Sequence, residues 1–335
     1  MSSNSNLTIA KNVKNDEFYT LMPDIEIELE NYKDYFKKKV VYCNCDDPER
    51  SNFWQYFYER FDELGLDGLF STHYILSGPS YRLDVRRDIF TGRKQEPVRT
   101  ALHGDGDFRS EECVQFLQEA DVIVTNPPFS LFKEFVALLL RENKQFMAIG
   151  NMNIVSSRAI FGSLLNKELW LGHTRPKEFL MPNGQMKKFG NIVWYTNVDS
   201  PQRHQFLTFP KTYAPKKYLA YDNCDAINID SVQEIPGDYF GVMGVPLTFL
   251  LKPCPDQFKL LGIGSSKLFF TPTKQYVRPL RHNMDGTTTR QHIAVNNTLT
   301  IALDNPPKNC YYCTAENTDK YLISPYNRLL IQRKV

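Results

Sequence analysis

The sequence lacks an uninterrupted apolar stretch long enough to span a bilayer, so we expect no membrane-embedded helix and no membrane partner. Its N-terminal residues also lack the apolar core of a secretion signal, which leads us to expect a cytoplasmic protein. Cysteine is scarce, and an odd number of seven without a secretion signal fits a reducing compartment. Cys310 and Cys313 have the spacing of half a zinc site, but no second Cys/His pair with ligand spacing accompanies them, so we predict no metal site.

An excess of charge of one sign is also missing, because 40 Lys and Arg residues are balanced by 38 Asp and Glu residues. The net charge of +2 is unevenly distributed: residues 1–200 carry 24 basic and 28 acidic side chains, and residues 201–335 carry 16 and 10. A mildly acidic first part and a basic second part are typical of a catalytic domain followed by a segment that binds phosphates. Ordinary fluctuation would explain the same asymmetry.

The first 200 residues alternate short apolar runs, which indicate buried strands, with patterns of helical spacing. The predicted strands are Val40–Asn44, Leu69–Leu76, Asp121–Thr125, Gln145–Gly150, Glu168–Gly172 and Asn191–Thr196. The predicted helices are Asp24–Phe36, Ser51–Leu64 with Ser51 as its N-cap, Ser110–Ala120 and Leu131–Arg141. This alternation predicts an α/β fold with a mostly parallel sheet, helices on both faces, and functional residues directly after the strands.

After about residue 200 the helical periodicity is lost, and prolines and short β-like runs dominate. The runs are Phe206–Phe209, Tyr239–Phe249, Lys267–Thr271 and Thr298–Ala302. We therefore predict a domain boundary near residues 198–205 and a mainly β region over residues 201–335. Within the first part, Gly78–Arg99 is expected to be a hairpin-bearing insertion between strands.

The pattern with the most chemical content is Asp121–Ser130, where a buried strand leads into Asn126, Pro127, Pro128 and Phe129 and a helix follows. An aromatic amine is a poor nucleophile because its lone pair is delocalised into the ring. The Asn126 side-chain carbonyl and the Pro127 backbone carbonyl can accept both amine hydrogens and free that lone pair. The prolines stiffen the turn, and Phe129 would stack on the target ring. The pattern thus predicts methyl transfer to an amino group, mainly by positioning.

A plain proline turn is the alternative interpretation of residues 126–129. Asp304–Lys308 has the same Asn-Pro-Pro tripeptide after a β-like run, but it lacks the aromatic residue and the following helix. We predict that this second copy is a structural turn, so the tripeptide alone has little weight.

Three further segments are candidates for binding the methyl donor. The turn after the first predicted strand has no glycine, unlike that of many methyltransferases, and offers carboxylates for an ammonium group; capping of the next helix is the alternative. A second segment, Ala101–Ser110, follows another expected strand, and a solvated loop is its alternative. The third is Asp16–Thr20, which a helix lead-in would equally explain. The candidate residues are Asn44, Asp46 and Asp47 in the first segment, Asp107 and Phe108 in the second, and Phe18, Tyr19 and Thr20 in the third.

Two other segments are candidates for substrate contacts. Lys267–His292 holds a single acid among many basic residues, which is typical of a segment that contacts phosphates and base edges; a solvated loop is the alternative. Its candidate DNA ligands are Lys274, Arg278, Arg281 and Arg290. In the strand Asn191–Asn197, either Trp194 or Tyr195 could form the second wall of a base pocket, although core packing suits at least one of them.

Together these segments resemble the EcoRI-type adenine-specific DNA methyltransferases. The resemblance covers most of residues 11–262 and depends on DEFYT, the glycine-less VYCNCDDPERSNFWQYF, GDGDFRS, DVIVTNPPFSLFKEF, IGNMN, LWLG, YDNCDAINI and YFGVMGVPLTFL. That family also lacks the glycine motif, so the unusual first turn makes the match specific.

The resemblance implies a Rossmann-like domain over residues 1–200 that binds S-adenosylmethionine, with residues 1–39 closing over this cofactor. It implies N6-adenine methylation of a flipped-out base in double-stranded DNA, with residues 126–129 as the catalytic turn. Residues 201–335 would recognise the target. A bacterial or phage origin, a monomer on DNA and a partner restriction endonuclease or a solitary role are further expectations. Two alternatives remain: a methyltransferase for RNA bases or protein glutamine, and a DNA-binding protein without cofactor affinity.

Overall fold

The computed structural model describes five stretches of the chain, namely residues 18–75, 79–252, 254–265, 269–291 and 293–334. These residues form two compact units. The first unit comprises the described residues up to Val155 together with Glu168–Ser200; the second comprises Ser156–Lys167 together with those from Pro201 onward. Several predicted positions lie outside the described residues, namely those before Phe18, and Leu76, Gly78, Lys267 and His292. Among the described helices, none has the length and apolar character needed to cross a membrane.

Four of the five α-helices in the described residues correspond to the predicted helices and are shorter than predicted, whereas the helix Arg158–Leu165 was not predicted. In chain order, the five helices are α1 (Met22–Leu29), α2 (Asn52–Glu59), α3 (Glu111–Leu117), α4 (Phe132–Arg141) and α5 (Arg158–Leu165). A 3₁₀ helix, Glu30–Phe36, continues α1. The predicted cap of α2 is confirmed, because Ser51 Oγ accepts a hydrogen bond from the Phe53 N–H at 3.0 Å.

The first unit is built on an eight-stranded mixed sheet. Its strands are β2 (Val40–Cys43), β3 (Gly68–His73), β4 (Tyr81–Arg86), β5 (Val98–Ala101), β6 (Val122–Thr125), β7 (Gln145–Asn151), β8 (Trp170–Leu171) and β11 (Ile192–Thr196). They have the order β5-β4-β3-β2-β6-β7-β11-β8. The central four strands, β3-β2-β6-β7, are parallel, whereas each outer strand is antiparallel to its inner neighbour. The predicted mostly parallel sheet is therefore correct only for the centre.

The antiparallel edge has a simple cause. Parallel neighbours need a crossover of a dozen or more residues, and the connection from β3 to β4 is too short for one. The predicted hairpin in Gly78–Arg99 is confirmed by the antiparallel β4–β5 pair, although β5 extends beyond this range to Ala101. The carboxyl ends of β2, β3 and β6 lie side by side, which brings the residues after these three strands together.

A small antiparallel sheet also belongs to the first unit. Its strands are β1 (Tyr19–Thr20), β9 (Glu178–Leu180) and β10 (Met186–Lys188), in the order β1-β9-β10. Thr20 pairs with Phe179. This pairing fixes the chain that follows Phe18 against a segment about 160 residues later, a contact that no local pattern predicts.

The second unit is mainly β, as predicted. Its strands are β12 (Ile227–Asn228), β13 (Val242–Pro246), β14 (Phe258–Ile263), β15 (Leu280–His282), β16 (Thr288–Thr289), β17 (Ile301–Leu303), β18 (Tyr312–Ala315), β19 (Thr318–Ile323) and β20 (Arg328–Arg333). One sheet has the order β12-β13-β20-β14 and the other β16-β15-β18-β19-β17. Thus Tyr239–Phe249 contains β13, and Thr298–Ala302 overlaps β17.

Two predicted strands of this unit are wrong. Phe206–Phe209 forms no strand, because the side-chain amide of Gln257 replaces a partner strand: it accepts from Leu207 N–H at 2.9 Å and donates to Leu207 O at 2.8 Å. The described part of Lys267–Thr271 is also not a strand. Phe269 there has a φ of 63°, a left-handed conformation that interrupts extended backbone.

Candidate active site

The first turn (residues 44–47) needs no glycine in this structure. It follows β2, and none of residues 44–51 has a positive φ, so no position requires the conformational freedom of glycine. Hydroxyl groups from both neighbouring strands hold it instead. Ser71 Oγ of β3 lies within hydrogen-bond distance of the Asp46 carbonyl at 2.5 Å and of the Cys43 carbonyl at 2.7 Å. Thr125 Oγ1 of β6 accepts from the Cys45 N–H at 3.1 Å.

Asp46 lies inside this network and is buried. Its Oδ1 accepts from Ser51 Oγ at 2.7 Å, and its Oδ2 accepts from Thr125 Oγ1 and from the Asn126 N–H at 3.4 Å. Burial raises the pKa of Asp46 to about 6, although the hydrogen bonds from Thr125 and Ser51 lower it. Three hydrogen-bond donors of the chain thus point at this carboxyl group.

The NPPF turn (residues 126–129) follows β6 directly, as predicted, and a short 3₁₀ helix, Phe129–Leu131, leads from it into α4. Asn126 Nδ2 donates to the Phe18 carbonyl. This bond sets the orientation of the amide, because the reverse orientation would bring two carbonyl oxygens together. Asn126 Oδ1 is buried and has no hydrogen-bond partner among the described residues. The acceptor that amine chemistry requires is thus available.

Phe129 belongs to an aromatic cluster rather than to an open surface. Its ring stacks on Phe18 with the centroids 5.5 Å apart, and Phe179 and Phe189 contact it edge-on at 6.3 and 6.1 Å. A base between Phe18 and Phe129 would need roughly 7 Å, two contact distances of about 3.5 Å. Stacking on a target ring therefore requires the opposite face of Phe129 or a displacement of Phe18.

Neither candidate for the second wall is accessible. Trp194 and Tyr195 are both fully buried, and their rings pack against Phe53 at 5.7 Å and Phe132 at 4.8 Å respectively. The Tyr195 hydroxyl also donates to the Asn151 carbonyl at 2.9 Å. As neighbours in a strand, the two rings point to opposite faces of the sheet, and both faces of β11 are covered here.

Other buried polar atoms at the ends of the strands have no partner within the described part of the chain. They are Thr20 Oγ1, Asn44 Nδ2 and His73 Nδ1. Thr20 and Asn44 were predicted from sequence, whereas His73 was missed. His73 is the last residue of β3, where functional residues are expected, and this position was the available signal.

Asp47 is close to His73 and more accessible than Asp46. Its Oδ2 is 3.8 Å from His73 Nε2, and its Oδ1 accepts from the Glu49 N–H at 3.0 Å and the Tyr81 hydroxyl at 3.4 Å. The Asp47 side chain is 16% exposed. This carboxylate is therefore the more available of the two for a cationic ligand.

Asp107 and Phe108 lie in a loop next to the end of β3, where the Ile75 N–H donates to the Asp105 carbonyl at 2.9 Å. Burial would raise the pKa of Asp107, but hydrogen bonds and charge from Arg109 outweigh it and lower the pKa. Burial is the main reason that the pKa of the Cys45 thiol is raised, and the charges of Asp46 and Asp107 raise it further. Asp107 therefore lies within electrostatic range of the first turn. Phe108 is buried, and its ring lies 5.3 Å from Phe135.

The four candidate DNA ligands all lie in the second unit. Lys274 Nζ is 2.8 Å from Asp222, and Arg278 is 3.2 Å from Glu316 with 71% of its side chain exposed. Arg281, on β15, lies over the Tyr311 ring at 3.9 Å. Arg290 follows β16 and is exposed. Asp304–Lys308 forms a bend without a helix after it, which confirms the predicted structural turn.

No group of three or more His, Cys, Asp or Glu side chains in the described ranges could hold a metal ion. The first unit does offer an amide oxygen without a partner among the described residues, on the turn at the carboxyl end of β6. This arrangement suits transfer to an amino group, and together with the sheet it points to an amino-methyltransferase. A model of the family described as "Adenine-specific methyltransferase EcoRI" matches residues 6–334, and the chain belongs to that family.

Three curated relatives agree with this family. The chain is 37% identical over 317 residues to the Type II methyltransferase M.EcoRI of Escherichia coli, and the match covers 84% of this chain and 97% of that protein. It is 40% identical over 273 residues to M.MpnI of Mycoplasma pneumoniae, covering 75% and 83%. It is 38% identical over 273 residues to M.MgeORF184P of Mycoplasma genitalium, covering 75% and 84%. No solved structure matches. The predicted class, an adenine-specific DNA methyltransferase, is confirmed.

Proposed function

We propose that the protein transfers the methyl group of S-adenosylmethionine to N6 of an adenine that is flipped out of duplex DNA at a specific site. The observation that carries this proposal is the buried, unpartnered Asn126 Oδ1 on the turn after β6. The proposal includes a Rossmann-like sheet that binds the cofactor at the carboxyl ends of β2, β3 and β6. Because the substrate is cellular DNA, it also includes a cytoplasmic location.

The residues at these strand ends fit the proposed cofactor. S-Adenosylmethionine presents an ammonium group, a carboxylate, ribose hydroxyls and an adenine, so it needs several donors and acceptors in a buried place. Asp47 would hold the ammonium group, and Asn44 Nδ2, His73 Nδ1 and Thr20 Oγ1 are buried polar atoms available to the other groups. Asp107 would accept from the adenine amine. When bound, the cofactor supplies an electrophilic methyl group on its sulfonium.

Catalysis by this chain consists mainly of holding the target amine. Asn126 Oδ1 and the Pro127 carbonyl accept its two hydrogens, which moves the nitrogen toward tetrahedral geometry and frees its lone pair. The prolines keep the two acceptors in a constant relation. No base of matched pKa is needed first, because the amine becomes acidic only after it is methylated. Phe129 stacks on the target ring through the face opposite Phe18 or after a displacement of Phe18.

Target recognition is proposed for the second unit. Arg281 lies over the exposed Tyr311 ring, and Arg278 presents a largely exposed cationic group, a combination suited to phosphates and base faces. The protein would act as a monomer on DNA, as the modifying partner of a restriction endonuclease or as a solitary enzyme.

Replacing both Arg278 and Arg281 with Ala should weaken binding to duplex DNA. The slope of log affinity against log salt should flatten by about 0.9 for each phosphate that the variant no longer binds. Fluorescence anisotropy over a salt series measures this slope. Lys216 and Lys308, exposed residues of the same unit outside the segment, provide a doubly substituted control that should keep the wild-type slope. An unchanged slope in the arginine variant would remove this segment from the interface.

The test of the proposed function is direct. Purified protein incubated with S-adenosylmethionine and unmethylated genomic DNA should produce N6-methyladenine, detected by nucleoside mass spectrometry. Methylation-aware sequencing of the same DNA should then show one recognition site. Methylation of RNA or of protein glutamine but not of DNA would overturn the substrate, and no transfer to any of the three would overturn the reaction.

A further inference from the structure

The first turn and the NPPF turn are tied together by side-chain hydrogen bonds. Thr125, the residue before Asn126, donates its hydroxyl hydrogen to Asp46 Oδ2 and accepts from the Cys45 N–H at 3.1 Å. The Asn126 N–H donates to the same carboxylate oxygen at 3.4 Å. One oxygen of Asp46 thus holds both the last residue of β6, Thr125, and the first residue of the NPPF turn, Asn126.

The second oxygen of Asp46 connects this pair to a helix. Ser51 Oγ donates to Oδ1 at 2.7 Å, and Ser51 caps α2 by accepting from the Phe53 N–H at 3.0 Å. A carboxylate has about four acceptor positions, and the chain itself occupies three of them here. Asp46 is also only 7% exposed. Little capacity therefore remains for an external ammonium group.

Asp47 is less buried than its neighbour, although Arg50 Nε lies 3.9 Å from its Oδ2. Its side chain is 16% exposed, and neither of its hydrogen bonds reaches the NPPF turn. Given the proposed function, on which this inference rests, we infer that Asp46 is a positioning residue that acts through Thr125 and Asn126. Asp46 fixes the position of the Asn126 backbone, from which the side chain extends, whereas Asp47 binds the ammonium group of the cofactor.

The physical consequence concerns the rate more than binding. The Asn126 amide oxygen must point at the target amine, and a displacement of about 1 Å in such a group can cost about 100-fold in rate. Removing the Thr125–Asp46 bond frees the backbone at residue 126 without removing any group that touches the cofactor. Methyl transfer should slow while cofactor affinity is retained.

The first experiment uses Thr125, which is fully buried. Thr125→Val has nearly the same shape but no hydroxyl, and Thr125→Ser keeps the hydroxyl as the matched control. The single-turnover rate on unmethylated duplex DNA should fall by about 10- to 100-fold in Thr125→Val at saturating S-adenosylmethionine. The Thr125→Ser variant should retain most of the wild-type rate. In both, the Kd for S-adenosylmethionine by equilibrium dialysis should stay within about threefold of wild type, less than the tenfold that marks the removal of one interaction.

The second experiment compares Asp46→Asn with Asp47→Asn. The first should lower the rate with little change in cofactor Kd, and the second should mainly raise that Kd. The inference is overturned if Thr125→Val keeps the wild-type rate, or if Asp46→Asn regains that rate once cofactor is saturating. Should Asp46→Asn fail to fold by circular dichroism, the Thr125 pair alone decides. Failure of the wild-type protein to bind cofactor or methylate DNA would instead refute the proposed function.

Discussion

Replacing Asn126 with Ala should lower methyl transfer to duplex DNA by about 10²- to 10³-fold, the range for losing one preorganised catalytic hydrogen bond. The variant loses the only side-chain acceptor that the NPPF turn offers to the target amine, and the Pro127 carbonyl alone cannot orient it. The bond from Asn126 Nδ2 to the Phe18 carbonyl is also removed, so about 1 kcal/mol of stability should disappear with it. Single-turnover kinetics at saturating cofactor measures the expected decrease.

The chain contains its own control for this experiment. Asn305 belongs to the second Asn-Pro-Pro sequence, where it is exposed in a bend without a following helix. Asn305→Ala should keep the wild-type rate. This result would show that the structural setting of the tripeptide matters, and not the Asn-Pro-Pro sequence alone. Cofactor and DNA affinity should remain largely intact in both variants, as titration with each ligand would show. Near-normal turnover of Asn126→Ala would refute the assignment of the NPPF turn.

Replacing Gly106 with Ala should damage both stability and cofactor binding. Gly106 has a φ of 81°, and a Cβ there would lie 2.3 Å from the His73 carbonyl oxygen and 2.6 Å from Ser80 Oγ. The backbone strain alone is about 1–3 kcal/mol, and the contact with a strand-end carbonyl adds to it. We expect the free energy of unfolding to fall by at least about 2 kcal/mol. Displacement of Asp107 should weaken cofactor binding by about tenfold, the value of one charge-assisted hydrogen bond.

Gly104 in the same Gly-Asp-Gly-Asp sequence is the matched control. Its φ lies outside the left-handed range, and a Cβ there would have only Glu112 Oε2 within contact distance, at 3.5 Å. Gly104→Ala should therefore leave the denaturant midpoint and the cofactor Kd near their wild-type values. If the two substitutions have equal effects, the loop is not set by Gly106, and the placement of Asp107 in the cofactor site loses its support.

The glycine-less first turn illustrates how tertiary contacts can replace local flexibility. A glycine-rich turn lets the backbone approach a ligand by adopting conformations closed to other residues. Here the turn keeps ordinary backbone angles, and hydroxyls of Ser71 and Thr125 hold it from the two neighbouring strands. A change at Ser71 on β3 should therefore reach the first turn without touching its own residues.

The features that could be predicted from the sequence are local. The strand, Asn-Pro-Pro-Phe turn and helix around Asn126 were predicted because each depends on residues within a few positions. The Ser51 cap and the structural turn at Asp304–Lys308 were predicted for the same reason. The alternation of apolar runs and helical patterns was enough to predict the α/β class and the parallel centre of the large sheet.

Only the tertiary structure decided how these pieces meet. The Thr125–Asp46 and Asn126–Phe18 bonds join residues 79 and 108 positions apart, and no periodicity specifies such partners. Alternation along β11 could not reveal that Trp194 and Tyr195 are both buried, because burial depends on what covers each face. Likewise, two adjacent aspartates are equivalent in sequence. Their different surroundings, three hydrogen bonds in a buried site for Asp46 and partial exposure for Asp47, arise only when the strands pair.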